Sequence, residues 1–288
     1  RQHDSTTAIR LADSRRANSH QRLWPAAGRY LRTMGGSDTD QIAAFEERFA
    51  RAQTTDVIDL PWGFVLLQRD FPSSHDHNRA VVTSTALSAD ILSTVDDAMG
   101  GAGLQHRQIS VIDDALGLEL SDDFTAAGYE RETITTMIYR GGPGGPPEHH
   151  VQEVSLEELR PALLREWKLL LPHSADDVHA QLADRIHLYA RGAEVARLVV
   201  FEGPEIAARM DFYFDAESGI TQLENLFTHP DFRGRGYAQS LINEGLRRGQ
   251  NAGCRLAFLG ADLDDWPHKW YLRLGFVKSH LAYNFTRL

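Results

Sequence analysis

The chain has a single cysteine in 288 residues, Cys254. That excludes an internal disulfide and any metal site built from several thiolates; in an apolar stretch, Cys254 reads as a core residue rather than a nucleophile. No apolar run approaches the length of a membrane span, and no charged-then-apolar N-terminal stretch reads as a secretion signal. The expectation is a cytoplasmic protein with no membrane partner. Positive charge is also scarce: 30 Lys and Arg against 40 Asp and Glu leave a formal net charge of −10. A phosphate-backbone binder carries a basic field, so no nucleic acid is expected and a cationic partner is easier to accommodate. His75-Asp76-His77 and His149-His150 lie in loops without a periodic scaffold, and among 13 histidines such neighbours are unsurprising. No metal is expected.

What is present suggests about two α/β domains. Residues 1–20 are polar and aperiodic, which reads as a flexible arm. The first domain is placed at 21–140 and the second at 148–288, joined by the Gly/Pro stretch 141–147, where glycine and proline together disfavour both regular structures. In the first domain, periodicity predicts helices at 21–32 and 40–52 and strands at 63–68 and 80–83. A helix at 89–99, a strand at 108–112, a helix at 121–127 and a strand at 130–139 follow. The second domain shows the same order, with a helix at 237–251, a strand at 254–260, a short helix at 264–274 and a last strand at 276–286. Gly103, Gly128, Gly253 and Gly275 follow the helices and read as left-handed C-terminal caps. The halves therefore look like a worn duplication.

The two copies differ where the long helix begins. In the second, the apolar strand Leu223 to Thr228 runs through His229 and Pro230 into Arg233-Gly234-Arg235-Gly236-Tyr237-Ala238, which opens a helix with Ala238, Leu241, Ile242 and Leu246 at helical spacing. The first N–H groups of a helix have no internal partner and sit at the positive end of its dipole, so this is a cradle for a pyrophosphate. Gly234 and Gly236 let oxygens approach the main chain. The first copy has no such loop.

Together with Trp270-Tyr271-x-x-Leu274-Gly275-Phe276, the loop Arg233-x-x-Gly236-x-Ala238 resembles the GCN5-related N-acetyltransferase superfamily (GNAT), over roughly residues 150 to 288. The resemblance implies two GNAT-like domains, each a mixed twisted sheet flanked by helices. The N-terminal one would be degenerate and the C-terminal one catalytic. It implies acetyl-CoA as cosubstrate and a small-molecule or peptide amine as acceptor. Arg233, Gly234, Arg235, Gly236, Tyr237 and Ala238 would hold the pyrophosphate, and main-chain groups at Leu226, Phe227 and Thr228 would meet the pantetheine arm. Tyr271 matches the superfamily's general acid beside the sulfur, and Glu224 matches the acidic position that polyamine-type members use as base. A phenol has the pKa range to protonate a thiolate, and a desolvated carboxylate can be tuned toward working pH. Phe124 stands four residues before Gly128 as Tyr271 stands four before Gly275, and a phenyl ring has no proton to give.

Strict strand alternation puts Glu224 and Leu226 on one face, an assignment that a bulge would reverse; the blander alternative for Glu224 is a solvent-facing edge carboxylate. Asp264 replaces the asparagine common in the family, which puts its contact to coenzyme A in doubt while leaving it able to cap a helix. Asp262, Asp264, Asp265, Asp211 and Asp215 could draw in a cationic substrate. The competing reading is a non-catalytic acyl-CoA-binding sensor or complex subunit, and a longer acyl chain is a third. Acceptor identity and oligomeric state leave no trace in the sequence.

Overall fold

The computed structural model describes residues 37–142 and 144–288; the expected arm and the helix at 21–32 lie outside them. The first half contributes α1 (Asp38–Ala52), β1 (Asp56–Leu60), β2 (Gly63–Leu67), β3 (Arg79–Val82), α2 (Ser88–Gly101), β4 (Arg107–Val111), α3 (Asp114–Ala126) and β5 (Glu130–Tyr139). The second contributes β6 (Gln152–Glu153), α4 (Leu156–Leu170), α5 (Asp176–Asp184), β7 (Glu194–Glu202), β8 (Glu205–Asp215), β9 (Ile220–Thr228), α6 (Tyr237–Asn251), β10 (Leu256–Asp262), α7 (Pro267–Arg273) and β11 (Phe276–Arg287). This is an α/β protein.

Local chemistry accounts for many of the boundaries. Ser37 with Asp40, and Ser155 with Glu158, form capping boxes that start α1 and α4. Asp113 caps α3 by accepting from the Leu116 N–H, so that helix begins well before the expected Ser121; the apolar period marked only its C-terminal half. Gly103, Gly128, Gly253 and Gly275 all have positive φ. After the first three, the next residue donates back into the last turn, Leu104 to Met99, Tyr129 to Phe124 and Cys254 to Gly249, which is the six-to-one bond of a left-handed cap.

Two compact units emerge, one of residues 37–137, 260–273 and 277–288, the other of 138–259 and 274–276. In the first, the strands run β1-β2-β3-β4-β11-β5. The β3–β4 pair is parallel, and β11 is antiparallel to β4 with Tyr283 opposite Val111, so the last strand of the chain lies beside strands of its first half. Alternation divides the core: Val65, Leu67, Ala80 and Val82 pack with Ile91, Val95 and Phe124 of α2 and α3, whereas Phe64, Leu66 and Val81 pack with Ala50 of α1.

In the second unit the order is β10-β9-β8-β7-β6, with β9 and β10 parallel and the remainder antiparallel. Helix α6 lies close on this sheet because two of its residues are glycine. A Cβ at Gly245 would stand 2.8 Å from Met210 Cε, and one at Gly249 would stand 2.9 Å from Thr221 Cγ2. That close approach fixes α6, and with it the helix N-terminus, against the sheet.

Candidate functional site

The chain leaves β9 through a single 3-10 turn, Pro230–Phe232, and reaches α6 through an exposed loop in which Gly234 and Gly236 have φ of 78° and 82°. Gly236 is the N-cap residue, and no side chain caps the helix. The first turn of α6 contains no acidic residue. A Cβ at Gly234 would meet nothing within 4 Å, so the loop opens on free space. The result is a helix terminus whose dipole and main-chain donors an anion can use.

The arginine side chains brace this loop. Arg233 Nε donates to the Thr228 carbonyl at 3.2 Å; Arg235 donates to the Asp231 carbonyl at 3.3 Å and stands 3.4 Å from Glu202. Tyr237 is buried, its hydroxyl donates to Glu202, and its ring meets His149 edge-on at 4.6 Å. The Tyr237 side chain is thus spent within the protein, whereas Arg233 and Arg235 remain exposed beside the loop. Ala238 is half-buried in the first turn.

Upstream, β9 is bulged. Arg209 faces Phe227 and Asp211 faces Glu224, so Met210 is opposed by both Asn225 and Leu226. Asn225 has φ of 53° and is the one non-glycine residue with positive φ among those described. The bulge changes the simple alternation: Glu224 shares a face with Asp211, and Phe227 rather than Leu226 returns to that face. The sequence signal was there, since asparagine is poor in strands but tolerant of left-handed backbone.

Glu224 is 4% exposed and accepts from Gln222 Nε2 at 3.1 Å, so it is not a solvent-facing edge carboxylate. Phe227 is buried, and Leu226 and Thr228 are half-buried. The parallel ladder with β10 spans Ile220 to Gln222, and β9 continues beyond it to Thr228. Asp211 is 1% exposed, which removes it from the surface acids expected to attract a cation.

A buried polar chain that sequence reasoning missed runs along the same face of the sheet. Arg209 makes two hydrogen bonds to Glu166 of α4, at 2.6 and 2.7 Å, and lies 3.6 Å from Asp211. Asn225 Nδ2 donates to Asp211 at 2.8 Å and to the Tyr213 hydroxyl at 3.1 Å. Burial pushes the Asp211 carboxyl up, against the pull of Arg209; burial, reinforced by Asp211, pushes the Tyr213 phenol well above its ordinary value. Burial alone would weaken the Arg209 charge, but Glu166 and Asp211 outweigh it and the guanidinium stays charged.

Tyr271 lies on α7 in the other unit, 7% exposed, with the Trp270 ring 5.2 Å away. That helix begins at Pro267, so Asp264 stands ahead of its first turn instead of capping it, and its N–H donates to the Asp262 carboxylate at 2.8 Å. Phe124, by contrast, is a core residue with no exposure and meets Phe285 edge-on at 5.0 Å.

Elsewhere His77 bridges Ser74 and Gln53 at 2.7 and 2.9 Å. Among the described residues no group of three or more His, Cys, Asp or Glu could hold a metal ion, and no helix is long and apolar enough to cross a membrane. Cys254 is half-buried just before β10, and burial pushes its thiol up.

Residues 156–276 match the model of the Acetyltransferase (GNAT) family. A search of curated proteins returned no match. Among solved structures, the chain is similar to a functionally unknown conserved protein from Staphylococcus epidermidis ATCC 12228, at 14% identity and a TM-score of 0.61, over 81% of this chain and 93% of that one. It is also similar to a GCN5-related N-acetyltransferase from Kribbella flavida, at 16% identity and a TM-score of 0.57, over 88% of this chain and 96% of that one. At such identities the likeness is one of fold.

Proposed function

Residues 156–276 belong to the GNAT acetyltransferase family, and from that premise we propose that the protein transfers an acetyl group from acetyl-CoA to an amine by direct attack. The observation that carries this reading is the uncapped, exposed N-terminus of α6 behind two left-handed glycines. The donor set fits a pyrophosphate: main-chain N–H groups at a helix terminus, no side chain competing for them, and no acid in the first turn. Acetyl-CoA would supply the activated acyl group and a thiolate leaving group.

In this reading the loop from Arg233 to Ala238 holds the phosphates. Main-chain groups at Leu226 to Thr228 align the pantetheine arm as an added strand, and an N–H there polarises the thioester carbonyl. Glu224 takes the amine proton, directly or through water, and Tyr271 returns a proton to the departing sulfur. Glu224 is buried on the strand that leads into the loop, within reach of a substrate held beside it only if the amine enters that face. We assign the N-terminal elements to a repeat without its own cradle, since α2 lacks a glycine loop before it.

The test is a turnover screen with acetyl-CoA over a panel of amines, followed by a pH–rate profile of Glu224→Gln with the best acceptor. A base is needed only while the amine arrives protonated, so the variant should lose most rate below neutral pH and recover as rising pH frees the amine. A parallel loss at every pH would make Glu224 a binding residue. Tight coenzyme A binding without turnover on any acceptor would favour a non-catalytic acyl-CoA sensor.

A further inference from the structure

The bulge in β9 is held by side chains rather than by a turn. Asn225 Nδ2 spends both of its protons, one on Asp211 and one on the Tyr213 hydroxyl. In register, Asp211 and Tyr213 lie opposite Glu224 and Gln222, before the bulge, while Arg209 lies opposite Phe227, after it. Arg209 is tied to Asp211 on one side and to Glu166 of α4 on the other. The chain Glu166–Arg209–Asp211–Asn225–Tyr213 thus brackets the register shift from both ends. Glu166, Arg209, Asp211 and Tyr213 are between 1% and 5% exposed, so their polar groups depend on one another and on Asn225 in place of water. Sliding β9 by one residue would turn the Asn225 amide to the opposite face and leave the Asp211 carboxylate, buried, without that donor.

The main-chain groups that follow the bulge, at Leu226, Phe227 and Thr228, are those assigned above to the pantetheine arm. We infer that Asn225, Asp211 and Tyr213 form a clamp that sets the direction of these groups, making them positioning residues for the acyl donor. The inference rests on the acetyl-CoA reading. It also divides the donor site into two parts with different supports: the α6 terminus, fixed by Gly245 and Gly249 against the sheet, takes the phosphates, and the clamped bulge takes the arm.

The division gives the experiment. Calorimetry on the full chain would compare coenzyme A with 3′-phospho-ADP, which carries the phosphates but no arm, for the wild type, Asn225→Gly and Tyr213→Phe. Glycine tolerates the positive φ and removes only the clamp. Tyr213→Phe preserves the ring and removes one acceptor, which keeps the test available if the first variant does not fold. The expected result is coenzyme A weakened by about tenfold in Asn225→Gly, the worth of one or two hydrogen bonds, with a smaller loss in Tyr213→Phe and 3′-phospho-ADP unchanged in both. Unchanged coenzyme A affinity in folded variants would overturn the clamp, as would an equal loss for both ligands. Wild-type protein that bound neither ligand would instead sink the acetyl-CoA reading on which the clamp depends.

Discussion

The chain builds a strand–helix–parallel strand unit twice, as β3-α2-β4 and as β9-α6-β10. Both helices end in the same left-handed glycine cap, at Gly103 and Gly253. They differ at the N-terminus. Helix α2 follows Leu87 directly, has Asp90 in its first turn, and is preceded by no glycine loop. Helix α6 follows Gly234 and Gly236 and has no acid in its first turn; neither helix carries a side-chain cap, so the glycines and the acid make the difference. An acid at the positive end of a helix satisfies the dipole internally, whereas its absence leaves that field for a ligand. The strands differ in the same sense: β3 is four residues long and pairs with β2 in unbroken register, and β9 is nine residues long and bulged. In the function proposed above, one fold unit serves as architecture and the other as a binding site, according to a few residues at the turn.

The sharpest way to break this comparison is Gly236→Val. The residue has φ of 82°, and a β-branched side chain there forces the loop out of the left-handed region and tilts the first N–H groups of α6. Coenzyme A binding should be lost in calorimetry, and wild type should titrate to one site per chain; two equivalent sites would mean that α2 binds as well.

A second effect belongs to the unit that contains α2. His106 is 3% exposed, and burial, aided by Arg107 and opposed by the Asn78 carbonyl, holds its pKa at about 4. Its unfolded value is near 6.5, so between those limits the unfolded chain binds the extra proton. Stability is fully present above about pH 6.5 and falls toward pH 4, by about 3 kcal/mol if the whole shift is expressed. His106→Gln should flatten the melting temperature against pH over that window. An unchanged slope would assign acid sensitivity to other groups.

Next comes the pair of aromatic positions. Tyr271→Phe should retain coenzyme A affinity and lower kcat by about 10²-fold, the usual worth of a general acid. The reciprocal Phe124→Tyr should confer no activity and cost about 1–3 kcal/mol, because its hydroxyl would enter the apolar contact with Phe285. A Tyr271→Phe enzyme with wild-type turnover would return Tyr271 to packing. Asp90→Asn should have the smallest effect: without a glycine loop, removing the acid does not create a cradle, and the binding stoichiometry should stay at one.

Much of this comparison could be read before the fold was known. The boundaries of α6 matched its apolar period, and those of β5 matched its run of β-formers; the four capping glycines and the loop at 233–236 announced themselves because each is a local demand on φ or on a missing Cβ. Helix α3 was half missed because Asp113 caps it ahead of a weakly periodic first turn. Asn225 was visible as an asparagine in a strand, but the pairing that turns it into a bulge was not.

What the sequence determined by itself, then, is local: where helices stop, where a helix terminus is left open, and which half of the chain lacks that opening. What only the tertiary structure decided is long-range. Glu166 meets Arg209 across 43 residues, and Tyr283 of the last strand sets itself opposite Val111 of the first half. The burial of Glu224 follows from the register of β8 against β9. Caps and glycines act through the backbone dihedrals of their own few residues, so composition records them. Strand partners and buried ion pairs are chosen by burying apolar surface and satisfying polar groups over the whole chain at once, and no short window of sequence contains that choice.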